Sequence, residues 1–129
     1  MGKRGDQSLR AIRGSVFLIR FDFGDRPRRK YCVLMEDVVE GMRDVVLVFS
    51  TSDTSYHYKF TTVLIPPGTI PGIDEPSLIE CHNCWKVSMA QFSRAEYLGQ
   101  LPDEFQELLD EALTHVRGID DALWLRMCG

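Results

Sequence analysis

The sequence lacks any long hydrophobic run. No apolar stretch approaches the roughly 20 residues that a helix needs to cross a bilayer. The first eight residues, Met1–Ser8, are basic and include no apolar segment of the kind that signal peptides carry. We therefore expect a cytoplasmic protein that does not contact a membrane.

The sequence also lacks the cysteine spacing of a metal or redox site. The four cysteines are Cys32, Cys81, Cys84 and Cys128. A structural zinc site needs four ligands, and the pair Cys81 and Cys84 has no second pair at matching spacing. A redox dithiol of the thioredoxin type would open a helix in a βαβ unit, which this pattern does not offer. We predict free thiols, no metal and no cofactor.

The chain has no internal repeats and no helical pattern in its first two thirds. Its 129 residues suffice for one domain. Phe17, Ile19 and Phe21 share one face at a spacing of two, which predicts a half-buried strand over 15–23. The apolar run that opens at Val45 predicts a fully buried strand that ends at Thr51 and Ser52. Further strands are predicted over 31–35, 58–65 and 77–81, with 85–89 as a sixth strand or a continuation of the fifth.

The last third of the chain changes to a helical spacing. Apolar residues from Phe105 to Val116 recur on one face, after a start at Pro102 and before Gly118, which suits the end of a helix. We predict a mainly β protein with a C-terminal helix, its short antiparallel strands closed into a small SH3-like barrel. The expected organisation is a flexible basic lead-in over 1–13, one domain over 14–117 and an apolar tail over 118–129.

Charge is unevenly distributed along the chain. Residues 1–30 hold nine Lys or Arg and three Asp or Glu, a balance of 9 − 3 = +6, whereas the whole chain has a net charge of −4. A basic first quarter fits a phosphate-binding edge if its arginines share a face, and it fits a solvated basic arm equally well.

The order of these segments resembles the MazF/PemK family of toxin endoribonucleases. The resemblance covers residues 14–117. It is carried by the segments Gly14–Ile19, Arg29–Leu34, Val45–Ser52, Ser77–Cys81 and Tyr97–Pro102. Members are small SH3-like barrels, usually homodimers, that cut single-stranded RNA without a metal and are silenced by an antitoxin. The resemblance implies the same fold, substrate and partners here.

The resemblance also implies site residues. The family's arginine corresponds to Arg29 and its threonine to Thr51, with Ser52 beside it. A guanidinium suits the charge of a phosphorane transition state, and a hydroxyl can orient the phosphate. His82, where some members have an acid, is a candidate for proton transfer. Candidate RNA-binding residues are Arg26, Arg28, Lys30 and Trp85.

Two departures from the family pattern leave alternatives open. Lys30 replaces a proline that commonly follows the arginine, and His82 replaces the acid. Both substitutions are compatible with a non-catalytic SH3-like interaction module. A toxin of the same fold that acts on a protein such as gyrase is a further alternative, to which Trp124 near the C-terminus points.

Overall fold

A computed structural model describes residues 11–23, 26–57 and 59–128. Its centre is one six-stranded sheet with the order β4-β5-β3-β2-β1-β6. The strands are β1 (Ser15–Phe23), β2 (Arg26–Leu34), β3 (Asp44–Thr51), β4 (Thr62–Ile65), β5 (Ser77–Ser88) and β6 (Glu96–Gln100). All neighbouring strands that the structure describes run antiparallel, and the sheet curls into a half-barrel. The predicted fold class, a small antiparallel β structure with a C-terminal helix, is confirmed.

The predicted strands differ from the observed ones mainly at their ends. β2 begins at Arg26, five residues before the prediction, because its exposed basic half pairs with β1 without burying apolar side chains. β4 begins only at Thr62, since Lys59–Thr61 form a turn, and Tyr58 lies outside the described residues. The two segments predicted over 77–81 and 85–89 form the single strand β5.

The sequence pattern gave no indication of β6. Its five residues, Glu-Tyr-Leu-Gly-Gln, show no alternation of apolar and polar side chains. The strand pairs with β1 across a register shift between Val16 and Phe17. It thereby covers the edge of β1 next to Gly14, whose φ of +93° suits a residue without a side chain.

In the described part of the chain, three α-helices accompany the sheet: the short α1 (Met89–Phe92), the amphipathic α2 (Asp103–Leu113) and the C-terminal α3 (Asp121–Cys128). α2 is the predicted helix, but it ends at Leu113 and Thr114 forms its C-cap, so the predicted cap at Gly118 was wrong. Val116 is nevertheless buried, because the chain beyond the helix stays against the sheet. No helix within the described residues is long and apolar enough to cross a membrane.

The sheet buries a separate apolar cluster on each face. Val33 and Val48 belong to the cluster that α2 covers, together with Leu109 and Leu113. Cys32, the next residue of β2, belongs to the opposite cluster. The members of that cluster are Ala11, Phe17, Ile19, Phe21, Cys32, Leu34, Val45, Leu47, Phe49, Val87 and Phe92. Successive residues of β2 and β3 therefore point to opposite faces, as strand geometry requires.

The segment predicted as an apolar tail forms α3 and packs against the sheet. Met127 is fully buried, and the indole Nε1 of Trp124 donates to the carbonyl of Leu113 at 3.1 Å. Arg126 binds Glu36 through its Nε at 3.1 Å and Nη2 at 2.7 Å, and binds the carboxylate of Asp44 at 3.0 Å. These contacts hold α3 at the connection between β2 and β3.

The predicted lead-in over 1–13 lies mostly outside the described residues. Of its described part, Ala11 is buried, and the backbone N–H of Arg13 donates to Asp37 at 2.9 Å. The Arg13 side chain forms an ion pair with Asp110 at 2.8 Å and donates to the carbonyl of Met127 at 3.1 Å. The chain is therefore anchored from residue 11 onward.

Candidate active site

A surface pocket of about 210 Å³ lies where β2 and β3 approach the connection that leads into β5. Its lining residues are Arg29, Lys30, Tyr31, Ser50, Thr51, Ser52, Glu75 and Ser77. The structure therefore brings together the predicted residues Arg29, Thr51 and Ser52.

The position of Arg29 follows from the pairing of β2 with β3. The ladder between these strands pairs Cys32 with Phe49. Beyond it, the Ser50 hydroxyl donates to the carbonyl of Tyr31 at 3.2 Å, which keeps the strands together for one more residue. Arg29 comes two residues before Tyr31 and so lies beside the end of β3.

Because side chains alternate along a strand, the residues that line the pocket belong to both faces of the sheet. Arg29 lies on the same face of the sheet as Val33, whereas Lys30 shares the face of Cys32. By the same rule Thr51 belongs to the face of Phe49. Because β3 ends at Thr51, side chains of both faces can reach the pocket. The family resemblance alone does not reveal this difference between the two candidate residues.

Arg29 is exposed, and its guanidinium makes no hydrogen bond or ion pair with another described residue. An arginine without a protein partner keeps its five N–H donors for a ligand. Phosphate is a suitable ligand, because a guanidinium can bind two of its oxygens at once. The absence of a partner therefore supports a phosphate site.

Thr51 is held by the turn that follows β3. Its Oγ1 accepts the backbone N–H of Asp53 at 3.1 Å, so the hydroxyl proton stays available to donate to a ligand. Asp53 in turn accepts the N–H and the hydroxyl of Ser55 at 3.1 and 2.7 Å. These two bonds lower the pKa of Asp53, which is therefore an anion close to the pocket.

Glu75 is a pocket residue that the sequence interpretation missed. It is exposed and lies in the connection before β5, directly before Pro76. Neither strand periodicity nor the resemblance identified it. Nothing in the sequence placed this acidic loop residue in the same pocket as Arg29, since its position depends on the path of the Pro66–Pro76 connection.

His82 does not line this pocket. It lies within β5, where its Nδ1 and the Thr61 hydroxyl are 3.0 Å apart. Its Nε2 is 3.9 Å from a carboxylate oxygen of Glu80. The strand predicted over 77–81 continues to Ser88 as β5 and directs His82 toward β4.

Trp85 forms an aromatic surface next to Lys30. Its ring stacks on that of Phe49 with centroids 5.2 Å apart and an angle of 11° between the planes. The ammonium of Lys30 lies 5.8 Å from the centroid of Phe49. Phe49 is buried, whereas Trp85 is 42% exposed. A cation and an exposed aromatic ring on the same face are the groups that bind single-stranded nucleic acid.

Arg26 and Arg28 occupy exposed positions of β2, opposite Phe23 and Phe21 of β1. Neither lines the pocket that contains Arg29. Alternation assigns both to the face of Lys30. Arg26, Arg28 and Lys30 therefore form a basic row along β2. The row ends at Lys30, beside Phe49, on which Trp85 stacks.

The described residues include no group of three or more potential ligands that could hold a metal ion. Burial raises the pKa of Cys81 to about 12 and also raises the pKa of the half-buried Cys84. Both cysteines are free thiols in the structure.

The half-barrel therefore carries a pocket that contains an exposed arginine. The sequence matches the family described as PemK-like, MazF-like toxin of type II toxin–antitoxin system over residues 12–116. The chain belongs to this family. The predicted resemblance is thus confirmed, and the matched region does not include α3.

A solved structure shares the fold. It is described as an endoribonuclease in complex with its cognate antitoxin from Mycobacterial species, with 20% identity and a TM-score of 0.60. The similarity covers 84% of this chain and 96% of the other. A search of curated proteins found no match.

Proposed function

We propose that the protein is a toxin endoribonuclease that cleaves single-stranded RNA by metal-independent transesterification. The observation that carries the proposal is the Arg29 guanidinium, which has no partner among the described residues and lies in a pocket with Thr51. Membership of the toxin family supports the biological role. The fold relative described as an endoribonuclease supports the reaction.

In the proposed reaction, the 2′-oxygen of the RNA attacks the adjacent phosphorus while the bond to the 5′-oxygen breaks. The products are a 2′,3′-cyclic phosphate and a 5′-hydroxyl, whose oxygen takes its proton from solvent water as it leaves. Arg29 donates hydrogen bonds to the non-bridging oxygens and stabilises the charge that grows on them in the transition state. Arginine does not act as the base, because its pKa exceeds about 12.

The hydroxyl groups position the phosphate. Thr51 can donate its proton to a phosphate oxygen, since its lone pair already accepts the N–H of Asp53. Ser52 is exposed beside it and can donate a second bond. Glu75 is the only carboxylate among the described residues that line the pocket, and we assign it the acceptance of the 2′-hydroxyl proton.

We do not include His82 among the catalytic residues of this proposal. Its ring contacts Thr61 and Glu80 instead of the pocket. Its contacts suit a structural role at the junction of β4 and β5.

Flanking nucleotides bind along the face that carries Lys30 and Trp85. The exposed indole offers a surface for base stacking, and Arg26 and Arg28 continue the positive charge along β2. This face and the Arg29 pocket meet at the end of β3, so one RNA strand can contact both.

A homodimer and an antitoxin are the proposed protein partners. The family is defined by toxin–antitoxin systems, and the fold relative is described as bound to its cognate antitoxin. Exposed apolar side chains offer contact surface, including Phe60, Leu108 and Leu125. Trp124, which suggested a protein target, is instead bonded to Leu113 within the fold.

The proposal is tested by incubating the purified protein with a long single-stranded RNA in EDTA. We expect fragments that end in a 2′,3′-cyclic phosphate. Replacing Arg29 by alanine should reduce the rate by about 100- to 1,000-fold, the usual cost of removing a transition-state donor. Intact RNA with the wild-type protein, or equal rates for wild type and Arg29→Ala, would contradict the proposal.

A further inference from the structure

Two arginines lie directly opposite each other on neighbouring strands. Arg20 of β1 pairs with Arg29 of β2 in the antiparallel ladder. Directly opposed residues have their Cβ atoms about 4.5–5.5 Å apart on the same face of the sheet. Opposed like charges destabilise a sheet, so this pair has an energetic cost in the absence of an anion.

Neither arginine is neutralised by another residue that the structure describes. Both are exposed, and neither guanidinium makes a hydrogen bond or ion pair with another described residue. Asp22 is the nearest acid along the strand on this face, two residues from Arg20, and no ion pair joins them. The pair therefore presents two sets of unused donors side by side.

Arg20 also lies at the boundary of a second groove. This groove is lined by Arg20, Phe21, Asp22, Ser88, Gln91 and Arg94. The side-chain amide of Gln91 donates to the carbonyl of Arg20 at 2.9 Å and so fixes α1 against this edge of β1. The pocket of Arg29 and the groove of Arg94 are thus joined by one pair of opposed arginines.

We propose that Arg20 is a positioning residue that binds the RNA phosphate next to the one held by Arg29. The RNA strand then crosses from β2 to β1 and continues into the groove beside Arg94. Two adjacent phosphates would neutralise the two opposed guanidiniums. Their binding explains why two positive charges occupy paired positions. This inference rests on the proposed ribonuclease function.

The test measures binding of a mixed-sequence 2′-O-methyl RNA 12-mer, which has no free 2′-hydroxyl and is not cleaved. Fluorescence anisotropy is recorded at several salt concentrations for wild type, Arg20→Gln, Arg20→Lys and Arg29→Gln. Arg117→Gln is the matched control, because Arg117 is exposed and, among the described residues, its guanidinium bonds only the carbonyls of Thr114 and Val116. Thermal unfolding midpoints are measured for each variant.

We expect Arg20→Gln to weaken binding roughly tenfold, as loss of a charge-assisted hydrogen bond does. The slope of log affinity against log salt should fall by about 0.7, the value for one phosphate contact with a single strand. Arg20→Lys should restore the slope, because it keeps the charge. The unfolding midpoint of Arg20→Gln should equal or exceed that of wild type, since one of two opposed charges is gone.

Equal affinity of Arg20→Gln and Arg117→Gln would overturn the inference, while a loss in Arg29→Gln alone would leave the proposed function intact. A lower unfolding midpoint for Arg20→Gln would also overturn it, because Arg20 would then stabilise the sheet. If the wild-type protein binds no RNA, the inference and the proposed function fail together.

Discussion

Thr51 and Asp53 are linked by a hydrogen bond in which the threonine hydroxyl is the acceptor, at 3.1 Å. This bond connects the last residue of β3 to the turn that follows it. The direction of the bond matters, because it leaves the hydroxyl proton of Thr51 free to act on a phosphate oxygen.

Replacing Thr51 by valine tests this hydroxyl. Valine has nearly the same shape but can neither accept the Asp53 N–H nor donate to a phosphate. We expect RNA cleavage to fall about 100-fold, the scale of effect that lost positioning has. The free energy of unfolding should drop by only about 0.5–1.5 kcal/mol, as for one hydrogen bond. Thr51→Ser is the matched control and should retain most activity; a fully active Thr51→Val would remove Thr51 from the site.

His82 provides a complementary prediction. Because His82 contacts Thr61 at 3.0 Å and lies outside the pocket, His82→Gln should leave the cleavage rate within about threefold of wild type. The measurement is kcat/KM on the same RNA. A large loss of activity in a variant with unchanged unfolding would show that His82 reaches the substrate.

Trp85 is expected to contribute to RNA binding by stacking. Trp85→Ala should weaken binding of an uncleavable RNA by about 1–3 kcal/mol, the range for one stacked base, and Trp85→Phe should lose less. Phe60→Ala is the control, because Phe60 is 78% exposed and its ring lies 5.2 Å from that of His115. Similar losses for Trp85→Ala and Phe60→Ala would argue against a specific stacking site.

The contact between α3 and the sheet should contribute measurably to the free energy of unfolding. Arg126 donates two hydrogen bonds to Glu36, whose side chain is only 13% exposed. Arg126→Ala leaves this carboxylate without its cation, and we expect the free energy of unfolding to decrease by about 1–3 kcal/mol. Chemical denaturation gives the value. In the double variant Arg126→Ala with Glu36→Gln, part of the loss should be recovered, because Glu36 no longer leaves an unpaired charge, although Asp44 still lacks its ion-pair partner.

Thiol reactivity should follow burial. Burial raises the pKa of Cys32 far above its ordinary value and raises that of Cys81 to about 12, so both remain protonated and unreactive near pH 8. An aromatic disulfide reagent should modify the exposed Cys128 first and the half-buried Cys84 more slowly. Cys32 and Cys81 should react only in denaturant. Rapid native modification of all four thiols would contradict the described packing.

Much of the fold could be predicted where burial imposes a pattern. The alternation from Phe17 to Phe21 and the apolar run from Val45 correctly indicated β1 and β3. The exposed half of β2 and the polar β6 could not be recognised, because they are held by backbone pairing and bury few apolar side chains. Backbone pairing between distant segments leaves little trace in a single sequence.

The candidate site was predictable only in part for a similar reason. Arg29 and Thr51 were found because the family resemblance places them on neighbouring strands. Glu75 lies on an irregular connection, and its proximity to Arg29 depends on tertiary structure. The position of His82 was predicted incorrectly because the strand was expected to end at Cys81 and His82 to lie in a turn, whereas β5 continues to Ser88.

The bond from Ser50 to the carbonyl of Tyr31 has a consequence for how such proteins diversify. Together with the pairing of Cys32 and Phe49, it fixes the register of β2 independently of the β1–β2 hairpin. A slip of one residue would exchange the faces of Arg29 and Lys30, but the buried side chains on either side prevent it. Insertions or deletions between β1 and β2 can therefore be tolerated while the position of Arg29 stays constant.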